Sequence, residues 1–139
     1  MRADFYLIAK PRFRDQPLLL VCKLVEKALA AEQPLVILAR DYAQAEEIDD
    51  LLWAYDEDAF IPHQLAGSDD DAEVPVLIAP PGIDIPPRPL AINLRPEPVQ
   101  DTFQRVLEVV AADPAERTGS RQRWRAYQQA GAEVHKFDM

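Results

Sequence analysis

The sequence predicts an α/β fold with a mostly parallel central sheet of about five strands flanked by helices. Short continuous apolar runs, typical of strands covered on both faces, alternate with segments whose apolar residues recur at helical spacing. Strand–helix–strand order favours parallel pairing with helices on either side, which is a Rossmann-like, three-layer arrangement. At 139 residues the chain is expected to form a single domain, residues 1–139.

The first half of the chain alternates two predicted strands with two predicted helices. Residues 4–9, DFYLIA, and 35–39, LVILA, are short apolar runs that indicate buried strands. Residues 17–33 and 41–55 show the spacing of amphipathic helices, and Asp41 suits the N-cap of the second.

The second half is less regular. Residues 74–80 and 89–94 predict two further buried strands, but the link between them, PPGIDIPPR, is too rich in proline for a helix. Residues 105–112 fit a strand or a helix, and their valines favour a strand. The tail AEVHKF, residues 132–137, is a candidate edge strand.

The segment from 113 to 131 predicts a capped helix. Asp113 is the candidate N-cap, Pro114 occupies the first helical position, and Glu116 completes a capping box. Gly131 suits the position just past the helix end. Gly119 costs about 1 kcal/mol relative to alanine, so the first turn is expected to fray.

Composition restricts the location and the partners of the protein. A formal net charge of −9 opposes broad electrostatic binding to nucleic acid. The apolar run in the opening residues, MRADFYLIAK, is too short for a typical signal peptide, and no stretch approaches 18 apolar residues. We therefore expect a cytoplasmic protein without a membrane partner. The single cysteine, Cys22, has no basic neighbour in sequence and is interpreted as an unreactive thiol.

The sequence offers no catalytic, cofactor or metal site. The first strand–helix turn, AKPRFRDQP, lacks the glycines of a nucleotide-binding loop, and Lys10, Arg12 and Arg14 are interpreted as solvated. His63, after Pro62, is interpreted as a polar loop histidine. The acidic run GSDDDAE, residues 67–73, is interpreted as a solvated loop, with a cation site as the less favoured alternative. We therefore expect no enzyme activity, cofactor or metal.

A cationic helix face stands out against this acidity. Residues 117–131 contain four arginines and no acidic residue, so the rest of the chain carries −13. On a helical wheel one arc of roughly 100° holds five of the side chains: Arg117, Arg121, Trp124, Arg125 and Gln128. Arg123, Ala126 and Ala130 point away from that arc. The face suits a ligand that is both acidic and apolar, such as a peptide tail, and the alternative is a solvated cationic face.

A second stretch, LLWAYDEDAFIPHQLAG (51–67), carries many large apolar groups for a helix end and loop. They are Trp53, Tyr55, Phe60, Ile61 and Leu65. The two interpretations are a patch that awaits a partner and, slightly favoured, a small core beneath the loop.

Both segments resemble the chi subunit family of bacterial DNA polymerase III. The stretch 51–67 resembles that family's W-x6-F-x-P-H-x-L-A-G segment, and RQRWRAYQQAG resembles its R-x-R-[aromatic]-[K/R]-A-Y-x-x-A-G helix. The opening FYL, the cysteine in the first helix and the length extend the likeness over nearly the whole chain.

The resemblance implies a non-enzymatic accessory subunit of the clamp-loader assembly, with a Rossmann-like fold and no nucleotide site. Family members form a heterodimer with the psi subunit and bind the acidic, Phe-ending C-terminal tail of the single-stranded-DNA-binding protein, so DNA is a partner only indirectly. The family's tail-binding pocket falls on four residues: Arg117, Arg121, Trp124 and Arg125. Its psi-facing surface falls on Trp53, Phe60, Pro62, His63 and Leu65. Trp124 and Arg117 stand where Tyr and Lys also occur in the family.

Two other functions stay open at this point. The face that includes Trp124 could bind single-stranded nucleic acid directly by base stacking, although the net charge opposes this. A small enzyme with an unrecognised site is the third possibility.

Overall fold

The computed structural model describes residues 1–55, 60–100 and 102–139. In chain order the described elements are β1 (Arg2–Leu7), α1 (Pro11–Asp15), α2 (Leu18–Ala30), β2 (Leu35–Leu38), α3 (Tyr42–Tyr55), β3 (His63–Leu65), a 3₁₀ turn (Asp71–Glu73), β4 (Val76–Ala79), β5 (Leu90–Asn93), β6 (Arg105–Val110), α4 (Pro114–Gln129) and β7 (Glu133–Asp138).

The strands form one sheet in the order β3-β4-β2-β5-β6-β1-β7, and every neighbouring pair is parallel. The predicted α/β class with a parallel sheet is confirmed. The prediction of about five strands was too low, because seven are described. β7 is the candidate edge strand of the tail, whereas β3 was missed because its three residues, HQL, are too few and too polar to give an apolar run.

Successive strand residues point to opposite faces of the sheet, and each face has its own cover. In β2, Leu35 and Ile37 pack with α2 and α3, whereas Val36 and Leu38 belong to the core on the other side. On that other side Tyr127 of α4 packs over β1 and β6. The sheet is therefore the middle of three layers.

The proline-rich link between β4 and β5 crosses the sheet without a helix, as predicted. Both strands pair with β2. Ile85 in the link packs against Val36 and Leu38, on the face of the sheet opposite to α2 and α3. Arg88 fixes the end of the link, because its buried guanidinium donates to the carbonyls of Asp71 at 2.6 Å and Pro75 at 2.8 Å. Hydrogen bonds from the Arg88 side chain to backbone carbonyls, together with apolar contacts, here replace the usual crossover helix.

The turn after β1 is not a simple loop. Pro11 starts the short helix α1, and Phe13 buries its ring in the main core. Lys10, Arg12 and Arg14 are exposed, as expected. The sequence pattern missed this helix because five residues with one buried side chain show no periodicity.

Asp113, Pro114 and Gly131 occupy their predicted positions at the ends of α4. Asp113 Oδ1 accepts a hydrogen bond from the Ala115 amide at 2.9 Å, and Pro114 is the first helical residue. At the other end Gly131 has φ +84°, and the amide of Ala132 donates to the Tyr127 carbonyl at 3.0 Å. That bond is part of a Schellman motif, which satisfies carbonyls that the helix end leaves without partners.

Candidate functional site

The cationic face of α4 borders a cleft of about 300 Å³ between α4 and the sheet. Its lining residues come from α4 and from three strands: Phe5, Leu7, Val110, Arg117, Ser120, Arg121, Trp124 and Lys136. Phe5, Leu7 and Val110 belong to the apolar core beneath, whereas Arg117, Arg121 and Lys136 are exposed. The cleft thus combines an apolar floor with a cationic rim, and none of its lining residues is acidic.

Three of the four residues predicted for a tail pocket meet at this cleft. Arg117, Arg121 and Trp124 line it, whereas Arg125 is exposed on α4 outside the lining. Among the residues that the structure describes, none of these arginines forms an ion pair with a carboxylate. Their positive charge is therefore available to a ligand.

Trp124 is half-buried, and its ring packs against Phe5 of β1 with ring centroids 4.9 Å apart at an angle of 55°. Part of the indole is therefore covered by the protein itself. The cleft continues past Leu7 and Arg117 into a second cleft of about 490 Å³, to which Arg14, Asp113 and Asp138 contribute. Charges of both signs line this second cleft, so it lacks the purely cationic character of the first.

Sequence reasoning missed Lys136 and the three floor residues. Lys136 lies opposite Phe5 in the β1–β7 pairing, which places both side chains on the same face of the sheet. The two-residue period of a strand was the available signal, since it puts Val134 and Lys136 on one face. That pattern does not say which strand lies next to it.

Arg123 lies on the other side of α4, as the wheel predicts, and it joins a buried network that fixes the helix to the sheet. Glu108 in β6 is fully buried and accepts three hydrogen bonds: from Arg123 Nε at 2.9 Å, Asn93 Nδ2 at 2.8 Å and the Tyr127 hydroxyl at 2.6 Å. The Tyr127 hydroxyl in turn accepts from the Val99 amide at 2.9 Å.

The network shifts the ionisation of its members. Burial raises the pKa of Glu108, although the hydrogen bonds of Tyr127 and Asn93 and the charge of Arg123 oppose the shift. Burial, followed by the negative charge of Glu108, raises the pKa of Tyr127. Gly119 lies beside the arginine, since an ideal Cβ there would be 3.4 Å from Arg123 Nη1, at the edge of ordinary van der Waals contact. The RxR arginines of the helix motif are thus divided between a side that faces the cleft, with Arg121, and an anchoring side, with Arg123.

The second predicted surface lies at the other edge of the sheet. Trp53 is 57% exposed and Phe60 is 73% exposed, and their ring centroids are 6.1 Å apart. Ile61 is buried in the main core, and Leu65 packs partly against it. The predicted apolar segment therefore divides into a core part and an exposed aromatic pair, and its residues 56–59 lie outside the described residues.

The interpretation of His63 as a polar loop residue was wrong. His63 is the first residue of β3 and its side chain is buried beneath Trp53, with ring centroids 4.7 Å apart. Its Nδ1 lies 2.7 Å from the Ile61 carbonyl, and its Nε2 lies 3.2 Å from Asp49 Oδ1. β3 pairs with β4, which draws this residue into the sheet. Pro62 beside it is half-buried.

One aspartate of the acidic loop 67–73 is buried and forms hydrogen bonds within the protein. Asp71 is buried and accepts hydrogen bonds from the amides of Gly67 at 2.8 Å and Ser68 at 3.3 Å and from Gln64 Nε2 at 2.7 Å. Burial alone would raise the pKa of Asp71, but these hydrogen bonds outweigh it and lower the pKa. Within the described residues no group of three or more His, Cys, Asp or Glu side chains is arranged to hold a metal ion.

A third cleft, of about 510 Å³, lies at the carboxyl ends of β5 and β6, where parallel α/β sheets commonly bind ligands. Its arginines are already engaged. Arg95 donates to the carbonyls of Ala39 at 3.0 Å and Ala79 at 2.8 Å, and Arg123 pairs with Glu108.

Cys22 is fully buried in α2, and burial raises the pKa of its thiol to about 11. Over the described parts of the chain, no helix combines the length and the apolar character needed to cross a membrane.

The comparison with solved structures gives the class of the fold. The chain is similar in structure to the C-terminal domain of the DEAD-box protein Dbp5, with a TM-score of 0.66 and 14% sequence identity. The match covers 99% of this chain and 90% of that domain's chain. This likeness shows that the two chains share an overall α/β fold, and it says nothing of function.

Sequence comparison then gives the family. The model of the family described as "DNA polymerase III chi subunit, HolC" matches residues 1–135. The DNA polymerase III subunit chi of Pseudomonas aeruginosa is 39% identical over 137 residues, which are 94% of this chain and 91% of the relative. The subunit chi of Escherichia coli is 30% identical, with 81% of this chain and 78% of the relative covered, and that of Haemophilus influenzae is 30% identical, with 76% of each covered. The chain belongs to the DNA polymerase III chi subunit family and is an accessory replication subunit.

Proposed function

We propose that this chain is a non-catalytic adaptor that works in the cytoplasm with two partners. The cleft beside α4 binds the acidic C-terminal tail of the single-stranded-DNA-binding protein. The exposed pair Trp53 and Phe60, with Pro62, His63 and Leu65 around it, binds the psi subunit and so connects the chain to the clamp loader.

The observation that supports the tail proposal is that an apolar floor and a cationic rim line the same cleft. A tail that ends in phenylalanine needs an apolar pocket for its last ring, and Phe5, Leu7 and Val110 supply one. Its acidic residues and its terminal carboxylate need cationic donors, which Arg121 and Lys136 provide at the rim.

Exposed charge pairs are weakened by salt, so each tail is expected to bind weakly and reversibly. Many tails on one coated DNA strand raise the effective affinity through multivalency, and DNA is then reached only indirectly. Direct binding of single-stranded nucleic acid is the competing function. The packing of Trp124 on Phe5 disfavours it, because part of the indole is not free to stack on a base.

Fluorescence anisotropy tests the tail site with a labelled acidic peptide ending in Phe and, in parallel, a labelled oligo-dT. We expect the peptide to bind the wild type, Arg121→Ala to weaken it by about tenfold or more, and higher salt to weaken it further. Arg12→Ala is the matched control, since Arg12 is an exposed arginine on α1. Arg125→Ala should have a smaller effect than Arg121→Ala because Arg125 does not line the cleft.

Oligo-dT binding without peptide binding would replace the tail proposal with direct nucleic-acid recognition. Equal losses for Arg121→Ala and Arg12→Ala would indicate general charge attraction and remove the assignment of the cleft.

A further inference from the structure

The exposed aromatic pair is the end of a longer stripe along α3. Tyr42, Glu46, Asp49 and Trp53 follow one another at spacings of four, three and four residues, so they fall within roughly 60° of one helix face. Tyr42 is 58% exposed and Trp53 is 57% exposed. Eleven residues of helix separate the two aromatic rings by about 16 Å. The stripe thus presents two apolar ends with carboxylates between them, and Asp50 lies on its border.

The chain around this stripe is uniformly acidic. From residue 41 to residue 87 the sequence contains thirteen Asp and Glu residues and not one Lys or Arg. This segment therefore carries −13, and the rest of the chain carries +4. Within the described residues neither Glu46 nor Asp50 forms an ion pair with a basic side chain. These two like charges lie four residues apart on one helix, where they repel each other.

Charge and shape together restrict what can cover this face. An acidic or nucleic-acid partner would be repelled, and an uncharged apolar partner would bury carboxylates without counter-charges. A helix that lays an apolar residue on each aromatic ring and a lysine or arginine between them would satisfy both features.

We infer that the Tyr42–Trp53 face of α3 binds a basic amphipathic helix of its partner, with cationic side chains paired to Glu46 and Asp50. This inference rests on the proposed function, because it gives the chemistry of the partner segment at the Trp53 surface. It extends that surface by two to three turns toward the start of α3, to residues that the motif does not include.

The test is binding of this chain to the psi subunit encoded in the same genome, measured by isothermal titration calorimetry. We expect Trp53→Ala to weaken binding by about thirtyfold or more, as for a central aromatic anchor. Glu46→Lys with Asp50→Lys should weaken binding by about tenfold or more, because two attractions become repulsions. Glu47→Lys is the matched control, since Glu47 is an exposed acidic residue on the same helix about 100° away from Glu46, and it should change affinity by less than about twofold.

Salt provides a second measurement. Raising NaCl from about 50 mM to about 500 mM should weaken wild-type binding by about tenfold. Glu46→Gln with Asp50→Asn, which removes the charges and keeps the shape, should reduce that dependence to about threefold or less. This neutral variant also covers the case in which the lysine variant fails to fold, which circular dichroism would reveal.

The outcomes separate the inference from the proposed function. Loss of binding in Trp53→Ala, with unchanged affinity and salt dependence in both charge variants, would overturn the basic-helix inference and leave the psi assignment in place. If wild-type protein does not bind psi at all, the psi assignment itself is wrong.

Discussion

Two helices on opposite faces of the sheet, α4 and α3, carry surfaces that differ in shape as well as in charge. The α4 surface is a concave cleft with a cationic rim, and a buried carboxylate, Glu108, holds its helix on the sheet. The α3 surface is a convex stripe of aromatic and acidic side chains. The net charge of −9 describes neither surface. The overall charge of this protein therefore does not predict the charge of each local surface.

The two surfaces also lie far apart. α4 packs near β1 and β7, whereas α3 packs near β3 and β4 at the other edge of the sheet. Seven strands at about 4.8 Å spacing put roughly 29 Å between the two edges. The cleft beside α4 and the exposed pair Trp53 and Phe60 therefore share no residue.

The strongest test of the comparison is removal of the anchor beneath α4. Glu108→Ala leaves Arg123, Asn93 and Tyr127 without their shared acceptor in a buried site, so we expect a loss of about 3–5 kcal/mol in the free energy of unfolding. Urea denaturation followed by circular dichroism measures this. Glu26→Ala, at an exposed position on α2, should change stability by less than about 0.5 kcal/mol. Similar losses for the two variants would show that α4 is not held by this network.

The two tryptophans should differ in their contribution to stability. Trp124→Ala removes a half-buried ring from Phe5 and should cost about 2 kcal/mol, whereas Trp53→Ala removes a largely exposed ring and should cost less than about 1 kcal/mol. The same denaturation experiment checks both. If Trp53→Ala lowers the free energy of unfolding as much as Trp124→Ala does, Trp53 belongs to the core and is not a free surface for a partner.

Within the acidic region, Asp71 differs from its exposed neighbours because its buried carboxylate accepts hydrogen bonds that stabilise the loop. Its pKa is lowered in the folded protein, so its stabilising effect is present above the ordinary carboxyl pKa and is lost as pH falls through the folded value. Asp71→Asn should therefore cost about 1–2 kcal/mol at neutral pH and progressively less below about pH 4. Unfolding measured across that pH range checks the trend, with Asp84→Asn as the exposed control. A cost that stays constant with pH would contradict the role of the charge.

The smallest expected effect concerns repulsion along α3. Glu46→Gln removes one of two like charges four residues apart and should stabilise the free protein by about 0.3 kcal/mol at low salt. The gain should vanish at about 0.5 M NaCl, where screening removes the repulsion in the wild type as well. Thermal melts at the two salt concentrations would show this, and a gain that persists at high salt would point to helix propensity in place of charge.

Local features of this fold could be read from the sequence because local residues determine them. The apolar run at 35–39 contains β2, and Asp113 and Gly131 are the caps of α4, as their chemistry predicts. Helical spacing also separated Arg117 and Arg121 from the anchoring Arg123.

Features that depend on strand neighbours could not be read in this way. Lys136 reaches the cleft because β7 pairs with β1, more than a hundred residues earlier in the chain. His63 is buried because β3 pairs with β4. No local pattern encodes which strands lie side by side, so the floor of the cleft and the setting of this histidine required the structure.

The position of β1 between β6 and β7 affects the order in which the protein can fold. Arg2 pairs with Arg105 on one side and with Glu133 on the other, whereas β2, β4 and β5 assemble from residues 35–93. During synthesis the acidic half of the sheet can therefore form first, while β1 waits for its neighbours. Such distant pairings close slowly. The cleft beside α4 includes Lys136 of β7, so it can be completed only after that strand has been synthesised.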